Sequence, residues 1–337
     1  MLPNRRTLLK VATLAPLAAT AQAGVARAVV GPASQTLTAR TGPKPLLVAF
    51  PSGDGYVAAH LYLPSGYDRA KRYPAVAVGG SFASVKEQMG DIYASEMARR
   101  GVMALAVDYR NYGQSSGRVR QLEDPASKAA DLSAALAFLR RRADVAGTGL
   151  LGVCTSGGVV LYTAAADRGV GAVATVAGFF SEPAIAPLIY GGADSIARHR
   201  RAGQEARARF DRTGVIDTIR AYHENDRTAA VVAPVGYYMD PARGGVPEWR
   251  NEFAVMAWEP MLGFDPVSRA RQVTAPTLVI HSDGATFPDQ ARKVHGLLAG
   301  PKDLYWTKGQ HFDFYDQAPQ VRDAADRAAA HFRAKLS

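Results

Sequence analysis

The chain holds one cysteine, Cys154, within Gly152-Val153-Cys154-Thr155-Ser156-Gly157-Gly158. Small residues two places before and two after a nucleophile are what a sharp strand-to-helix turn demands, because crowded backbone leaves no room for larger ones. Such a turn would lift the sulfur above a sheet and aim the Thr155 amide into the same space. The helix N-terminus just beyond would favour a thiolate. Two other readings stand beside this one. A lone cysteine is often a small buried hydrophobe. A shifted register would instead place Ser156 between Cys154 and Gly158, which pushes the turn two residues into the helix.

A thiol nucleophile needs a base, and His311 in Lys308-Gly309-Gln310-His311-Phe312 is the candidate among seven histidines. It falls between the last expected strand and the last expected helix. His281 ends a strand near the acid loop and reads as support for that loop. The acid should lie in His281-Ser282-Asp283-Gly284-Ala285-Thr286-Phe287-Pro288-Asp289. Asp283 is the earliest carboxylate there able to turn back toward His311. Asp289, equally suited to a helix N-terminus, and Glu182 remain alternatives. A second oxyanion donor is expected from Gly79-Gly80-Ser81-Phe82, where glycines let backbone amides face a substrate oxygen. The amide of Ser81 or Phe82 would then pair with that of Thr155.

The chemistry this set could perform is acyl transfer to water. The imidazole would hold Cys154 as thiolate, the thiolate would add to a carbonyl carbon, and two amides would stabilise the oxyanion. Sulfur leaves more readily than an ordinary alkoxide, so plain alkyl esters would collapse backward. Activated, aryl or enol esters, lactones and thioesters avoid that problem. Neither a cofactor nor a metal is expected: there is no His-Glu-x-x-His, no Gly-x-Gly-x-x-Gly after a strand and no Cys-rich ligand set.

These groups need a scaffold. Residues 46–50 and 56–63 read as a hairpin around Pro51-Ser52-Gly53-Asp54-Gly55. Apolar strands at 75–78, 102–107, 150–153, 170–176, 277–281 and 304–307 then alternate with helices at 86–100, 125–142, 157–167, 289–298 and 320–335. Continuous apolar strands separated by helices predict an α/β fold, a mostly parallel sheet with helices on both faces. Residues 181–268 interrupt the alternation and read as a cap insertion over the carboxyl edge of the sheet. Tyr237, Tyr238, Arg243, Trp249 and Trp258 would wall a substrate pocket there, or simply pack the cap.

The 337 residues are 47% hydrophobic and 21% charged, which excludes a disordered polymer or a small disulfide scaffold. Residues 1–23 read as an export signal of the twin-arginine type, with Arg5-Arg6, an apolar run from Val11 to Ala19 and a cleavage site at Ala21-Gln22-Ala23. The run is too short for the roughly 20 residues of a spanning helix, so no stable membrane span is expected. The mature domain would comprise residues 24–337, in the periplasm or secreted. Loss of Arg5, Arg6 and Lys10 lowers the formal charge from +10 to +7. That excess is thin for nucleic-acid binding, and Arg200, Arg201, Arg207, Arg209 and Arg212 read as a solvated helix face.

Taken together, Gly79-Gly80, Lys86-Glu87-Gln88, Asp108-Tyr109-Arg110 with Gly113-Gln114-Ser115, the cysteine turn, Tyr237-Tyr238 with Arg243-Gly244, and Gly309-Gln310-His311-Phe312-Asp313-Phe314-Tyr315-Asp316 carry a resemblance. The chain resembles the dienelactone-hydrolase-like branch of the α/β-hydrolases over about residues 45–335, with nucleophile before histidine in chain order. That resemblance implies an α/β-hydrolase fold and a hydrolase of carboxylic esters or lactones acting on small molecules. It also places the usual acid position of the superfamily on Ala285. An acyltransferase on the same residues, or a binding protein with a buried cysteine, would fit the same pattern.

Overall fold

Short apolar runs become strands here because both their faces are covered. The computed structural model describes residues 35–38, 43–233 and 235–337. The export signal expected at 1–23 lies outside them. Strands β1 (Leu46–Ser52) and β2 (Gly55–Tyr62) form an antiparallel hairpin whose turn uses the left-handed backbone of Gly53, φ 56°. They are followed by β3 (Tyr73–Gly79), β4 (Met103–Val107), β5 (Val145–Val153), β6 (Ala172–Val176), β7 (Thr277–Gly284) and β8 (Lys302–Gln310). These eight strands form one sheet in the order β1-β2-β4-β3-β5-β6-β7-β8. From β4 to β8 every pairing is parallel, and only the hairpin strands run against their neighbours.

Strands β4 and β6 are buried along their whole length, the mark of a sheet sandwiched between helices. Helix α1 (Asp91–Arg99) packs with the C-terminal helix, while α2 (Pro125–Arg140) packs with α3 (Thr155–Ala166). The start of α2 is fixed by Pro125 at its first position and by Asp124, whose side chain accepts from the Ala126 and Ser127 amides at 2.9 and 3.3 Å. The chain moves from β3 outward to β4, then returns to β5 on the other side of β3. The strand order therefore reverses between β3 and β5, where such sheets open a crevice at their carboxyl ends.

The helix expected at 86–100 begins instead with an irregular turn over Lys86–Gly90, with Gln88 at ψ −138°, before α1 starts. The buried Lys86 explains the break. Its amide donates to Asp108 Oδ1 at 2.8 Å and its ammonium to Asp108 Oδ2 and Gln114 Oε1, each at 2.8 Å. A regular helix could not satisfy that ion pair.

Between β6 and β7 lie α4 (Ala193–Thr213), several short helical turns and two pairs of two-residue strands. Helix α4 buries Gly203, Ala206 and Phe210 and turns its arginines outward, where Arg207 pairs with Glu259 and Arg209 with Asp217. After β7 come α5 (Pro288–Leu297), β8 and α6 (Ala318–Leu336). No described helix is long and apolar enough to cross a membrane.

Candidate active site

Cys154 sits between the last residue of β5 and the first of α3 with φ 55° and ψ −119°, a conformation rarely tolerated outside glycine. Its carbonyl accepts from the amides of Gly157 and Phe179, each at 2.8 Å, and its amide donates to Val176 O at 3.1 Å. The strain is thus held by backbone bonds on both sides. Gly152 is required: a Cβ there would lie 2.2 Å from the Ser156 carbonyl oxygen. Ser156 is fully buried, donates to Gly80 O and accepts from Tyr109 OH at 2.7 Å. It braces the turn against β3, and its hydroxyl faces no open space.

The sulfur lies 3.4 Å from His311 Nε2, across 157 residues of sequence. Tyr315 OH lies 3.1 Å from the same nitrogen. Burial raises the Cys154 thiol, while hydrogen bonds from Tyr315 OH, the Thr155 hydroxyl and the amides of Thr155 and Phe82 favour its anion. Of the two expected loop donors, Phe82 is therefore the one facing the sulfur. Ser81 is fully buried and shares a 2.7 Å hydrogen bond with Tyr238 OH. The Phe82 amide is positioned by the next residue, Ala83, at φ 50°. The Ala83 amide donates to Glu123 Oε2 at 3.1 Å, and its carbonyl accepts from Trp249 Nε1 at 2.9 Å.

The expected acid is not at the histidine. Strand β7 runs on past His281 to Gly284, and Asp283 projects from it to the surface, 75% exposed and paired with Arg292 at 2.6 Å. Asp289 is 97% exposed and meets the same arginine, while Glu182 pairs with Lys293 at 2.6 Å. Nδ1 of His311 instead accepts from the Thr286 amide at 3.2 Å. Because that nitrogen accepts, the proton of the neutral ring resides on Nε2, the reverse of a histidine oriented by a carboxylate. Desolvation pushes His311 down to about 4, so the ring is neutral at physiological pH. His281 is also pushed down to about 4 by burial and contacts the carbonyls of Ser282 and Gly178, the supporting place expected of it.

Sulfur, imidazole and Tyr315 open into a cavity of about 780 Å³. Phe82, Phe179, Tyr222, Met261 and Phe312 are among its walls, and Leu188, Tyr190, Arg198, Arg227 and Trp258 from the 181–268 segment close it over. Trp258 is thus a wall residue as expected, stacked at 4.0 Å on His199. The other four expected wall residues are not, Trp249 being turned onto the Ala83 carbonyl. Tyr238 lies behind the loop, bonded to Ser81 and, at 3.0 Å, to Tyr222 OH. Tyr237 is packed edge-on against Tyr238 and Tyr315. Arg243 grips Asp316 at 2.6 and 2.8 Å, and so anchors the turn that carries Tyr315. No described group of His, Cys, Asp and Glu could hold a metal ion.

Sequence reasoning missed Tyr315 and Glu123, and read Trp249 as a pocket wall, whereas its Nε1 holds the Ala83 carbonyl. The spacing His311-x-x-x-Tyr315 was a readable signal, since one turn of helix after the histidine returns the chain to the same face. Glu123 and Trp249 are distant in sequence from Ala83, and nothing in the sequence ties either of them to that loop.

A cysteine-bearing turn between β5 and α3, a histidine after the last strand and a glycine-led loop after β3 are placed as in the α/β-hydrolase fold. No family model matches the chain. It is similar to the Pseudomonas aeruginosa protein PA2218, 30% identical over 82% of this chain and 76% of that one. The crystal structure of PA2218 superposes with a TM-score of 0.76 at 25% identity, over 94% of this chain and 99% of that chain. The thiohydrolase aneE of Aspergillus aculeatus is 32% identical over 73% of this chain and 74% of its own length. The α/β hydrolase GrgF from Penicillium sp. sh18 shares the fold, with a TM-score of 0.74 at 20% identity over 87% of this chain and 99% of that chain. The chain has the α/β-hydrolase fold and belongs to one family with PA2218 and the thiohydrolase aneE, and its hydrolase relatives support a hydrolase.

Proposed function

We propose that the protein hydrolyses thioesters and activated esters or lactones through an acyl-enzyme on Cys154. The observation that carries this reading is the Cys154 sulfur, 3.4 Å from His311 Nε2, at the floor of a cavity of about 780 Å³. Sulfur adds to the carbonyl carbon, and the C=O electron pair moves onto an oxyanion met by the Thr155 and Phe82 amides. Collapse expels the leaving group with its electron pair. Water then adds to the acyl-enzyme, releases the acid and returns the sulfur. General-base help to that water needs an empty Nε2, so the proton must move to Nδ1 and the Thr286 amide must turn away. Deacylation is accordingly the slower step.

The absent carboxylate bears on the substrate. A leaving thiolate or phenolate departs with little protonation, whereas an alkoxide needs an acid that this site does not supply. The thiohydrolase name of the Aspergillus relative supports the thioester side of the reading. The test is a series of acetyl thioesters, aryl esters and alkyl esters ordered by leaving-group pKa. Acylation is expected to speed up as that pKa falls, with ethyl esters about 100-fold or more behind phenyl thioesters. Fast ethyl ester turnover with a flat dependence would refute it.

We further infer that residues 1–23 direct export through the twin-arginine route, on the strength of Arg5-Arg6 before the apolar run. Fractionation of a bacterial host should find mature chain beginning near Gly24 in the periplasm, and Arg5→Lys with Arg6→Lys should retain precursor in the cytoplasm. Unprocessed protein in the cytoplasm of the unaltered strain would overturn this.

A further inference from the structure

The cavity above Cys154, about 780 Å³, has room for far more than a small acyl group, and its charge is one-sided. Aromatic and aliphatic side chains supply most of its walls, and no aspartate or glutamate is among them. A polar patch interrupts these walls on the 181–268 side. Ser195, Arg198 and His199 stand at i, i+3 and i+4 of α4, the spacing that puts side chains on one face of a helix, and all three line the cavity. Arg227 reaches it from the loop between the two-residue strands Tyr222–His223 and Val231–Val232. Arg198 and Arg227 are exposed as well as lining the cavity, which places them at its mouth, whereas the sulfur is buried at its floor.

Elsewhere on the same helix the arginines are answered by acids, Arg207 by Glu259 and Arg209 by Asp217. Among the described residues, neither Arg198 nor Arg227 has a carboxylate within ion-pair distance, and Ser195 Oγ has no hydrogen-bond partner. Asp226, beside Arg227 in the chain, is taken by Arg220 at 3.6 Å and by the Thr228 hydroxyl at 2.6 Å. The His199 ring is held flat on Trp258, with centroids 4.0 Å and planes 1° apart, so this end of the wall is rigid. Burial and the neighbouring Arg198 push His199 below its ordinary value, and the charge of the patch is that of the two guanidiniums. Uncompensated cations at the mouth of an apolar cavity raise the local concentration of anions there.

We propose that Arg198 and Arg227, with Ser195 beside them, form an anion subsite at the mouth of this cavity. The substrate is then an amphiphile: its apolar body lies along the aromatic walls, and a carboxylate or like anion lies remote from the reacting carbonyl. The substrate half of this rests on Cys154 as the nucleophile, while the subsite is read by binding alone. A guanidinium meets a carboxylate with two parallel N–H donors, which fixes orientation as well as charge. The anion belongs either to the acyl group or to the leaving thiol.

The test compares S-phenyl thioesters of octanoate and of suberate, the second ending in a free carboxylate, and octanoyl thioesters of thiophenols with and without a carboxymethyl group. In one of these two pairs the unaltered protein should favour the carboxylate about tenfold in kcat/KM, mainly through KM, and added salt should erode the preference. Arg198→Gln with Arg227→Gln should bring that ratio close to one. The pair that shows the preference tells which side of the scissile bond carries the anion. Equal rates within both pairs, or a preference that the double variant keeps, would overturn the proposal. Binding is read separately on Cys154→Ala protein, which should hold decanoate about tenfold more tightly than decanol, a difference lost when both arginines are also replaced. Decanoate held no better than decanol would overturn the subsite. Thioesters left intact by the unaltered protein, beside tight decanoate binding, would sink the hydrolase reading while the subsite stood.

Discussion

Cys154→Ser is expected to lower kcat/KM on an aryl thioester by about 10⁴-fold or more, while the protein stays folded with an unchanged melting temperature. Replacing sulfur by oxygen is nearly isosteric, and the strained turn is held by backbone bonds from Gly157, Phe179 and Cys154 itself. What changes is acidity. A serine hydroxyl in a hydrolase is usable only because an imidazole, oriented by a carboxylate, removes its proton during attack. Here Nδ1 of His311 faces the Thr286 amide, and desolvation keeps the ring neutral down to about 4. Nothing in that arrangement can deprotonate an alcohol, whereas a thiol, even one raised by burial, is far more acidic than an alcohol in the same place.

The measurement is steady-state turnover together with intact mass after mixing with substrate. The unaltered enzyme should show a burst of leaving group and one acyl adduct, because deacylation is slow. Cys154→Ser should show neither. Substantial turnover by the serine variant would mean that His311 works as a full general base, and the tautomer argued from Thr286 would be wrong. Ser156 cannot take over, since its hydroxyl is committed to Gly80 O and fully buried.

The parts of this site that were legible in the sequence are those whose constraint is local. The cysteine turn declares itself because backbone crowding permits only small residues at 152 and 156, and a Cβ at 152 would strike the Ser156 carbonyl. The alternation of apolar strands with helices likewise reports a sheet covered on both faces, which the eight-stranded sheet is. Asp283 failed because it was placed by its distance from a strand end. The strand continued to Gly284, and the side chain was carried out to Arg292. Arg243 and Tyr237 failed for a different reason. An aromatic or cationic residue in a cap segment carries no mark of whether it faces ligand or protein, and Asp316 lies 73 residues further on. Partners that far apart are joined only by the fold.

The residues that set the oxyanion loop give the second large effect. Glu123 and Lys128 are both buried, and the carboxylate bonds the Lys128 ammonium, Tyr112 OH at 2.8 Å and the Ala83 amide at 3.1 Å. The ammonium is otherwise faced by the rings of Tyr109 and Tyr112, 4.7 and 5.4 Å away. Glu123→Ala leaves that ammonium uncompensated and should cost about 3–5 kcal/mol of stability, read as a lowered urea midpoint. The catalytic consequence needs a gentler change. Trp249→Phe removes the bond from Nε1 to Ala83 O and trims the ring stacked 5.1 Å from Tyr238, with no buried charge exposed.

Ala83 then keeps Glu123 but loses its other restraint, and at φ 50° it has a relaxed conformation to fall back to. The amide that shifts with it is Phe82's, one of the two to which the proposed mechanism assigns the oxyanion. Loss of a whole oxyanion donor costs about 10²–10³ in kcat, so partial misplacement should cost about tenfold. Because the oxyanion forms only in the transition state, that loss should fall on the acylation rate with substrate affinity nearly unchanged. Cys154 alkylation by a small neutral reagent, which passes through no oxyanion, should hardly slow. If Trp249→Phe instead weakened substrate binding and left acylation intact, the indole would be a pocket wall, and the loop would owe its shape to Glu123 alone.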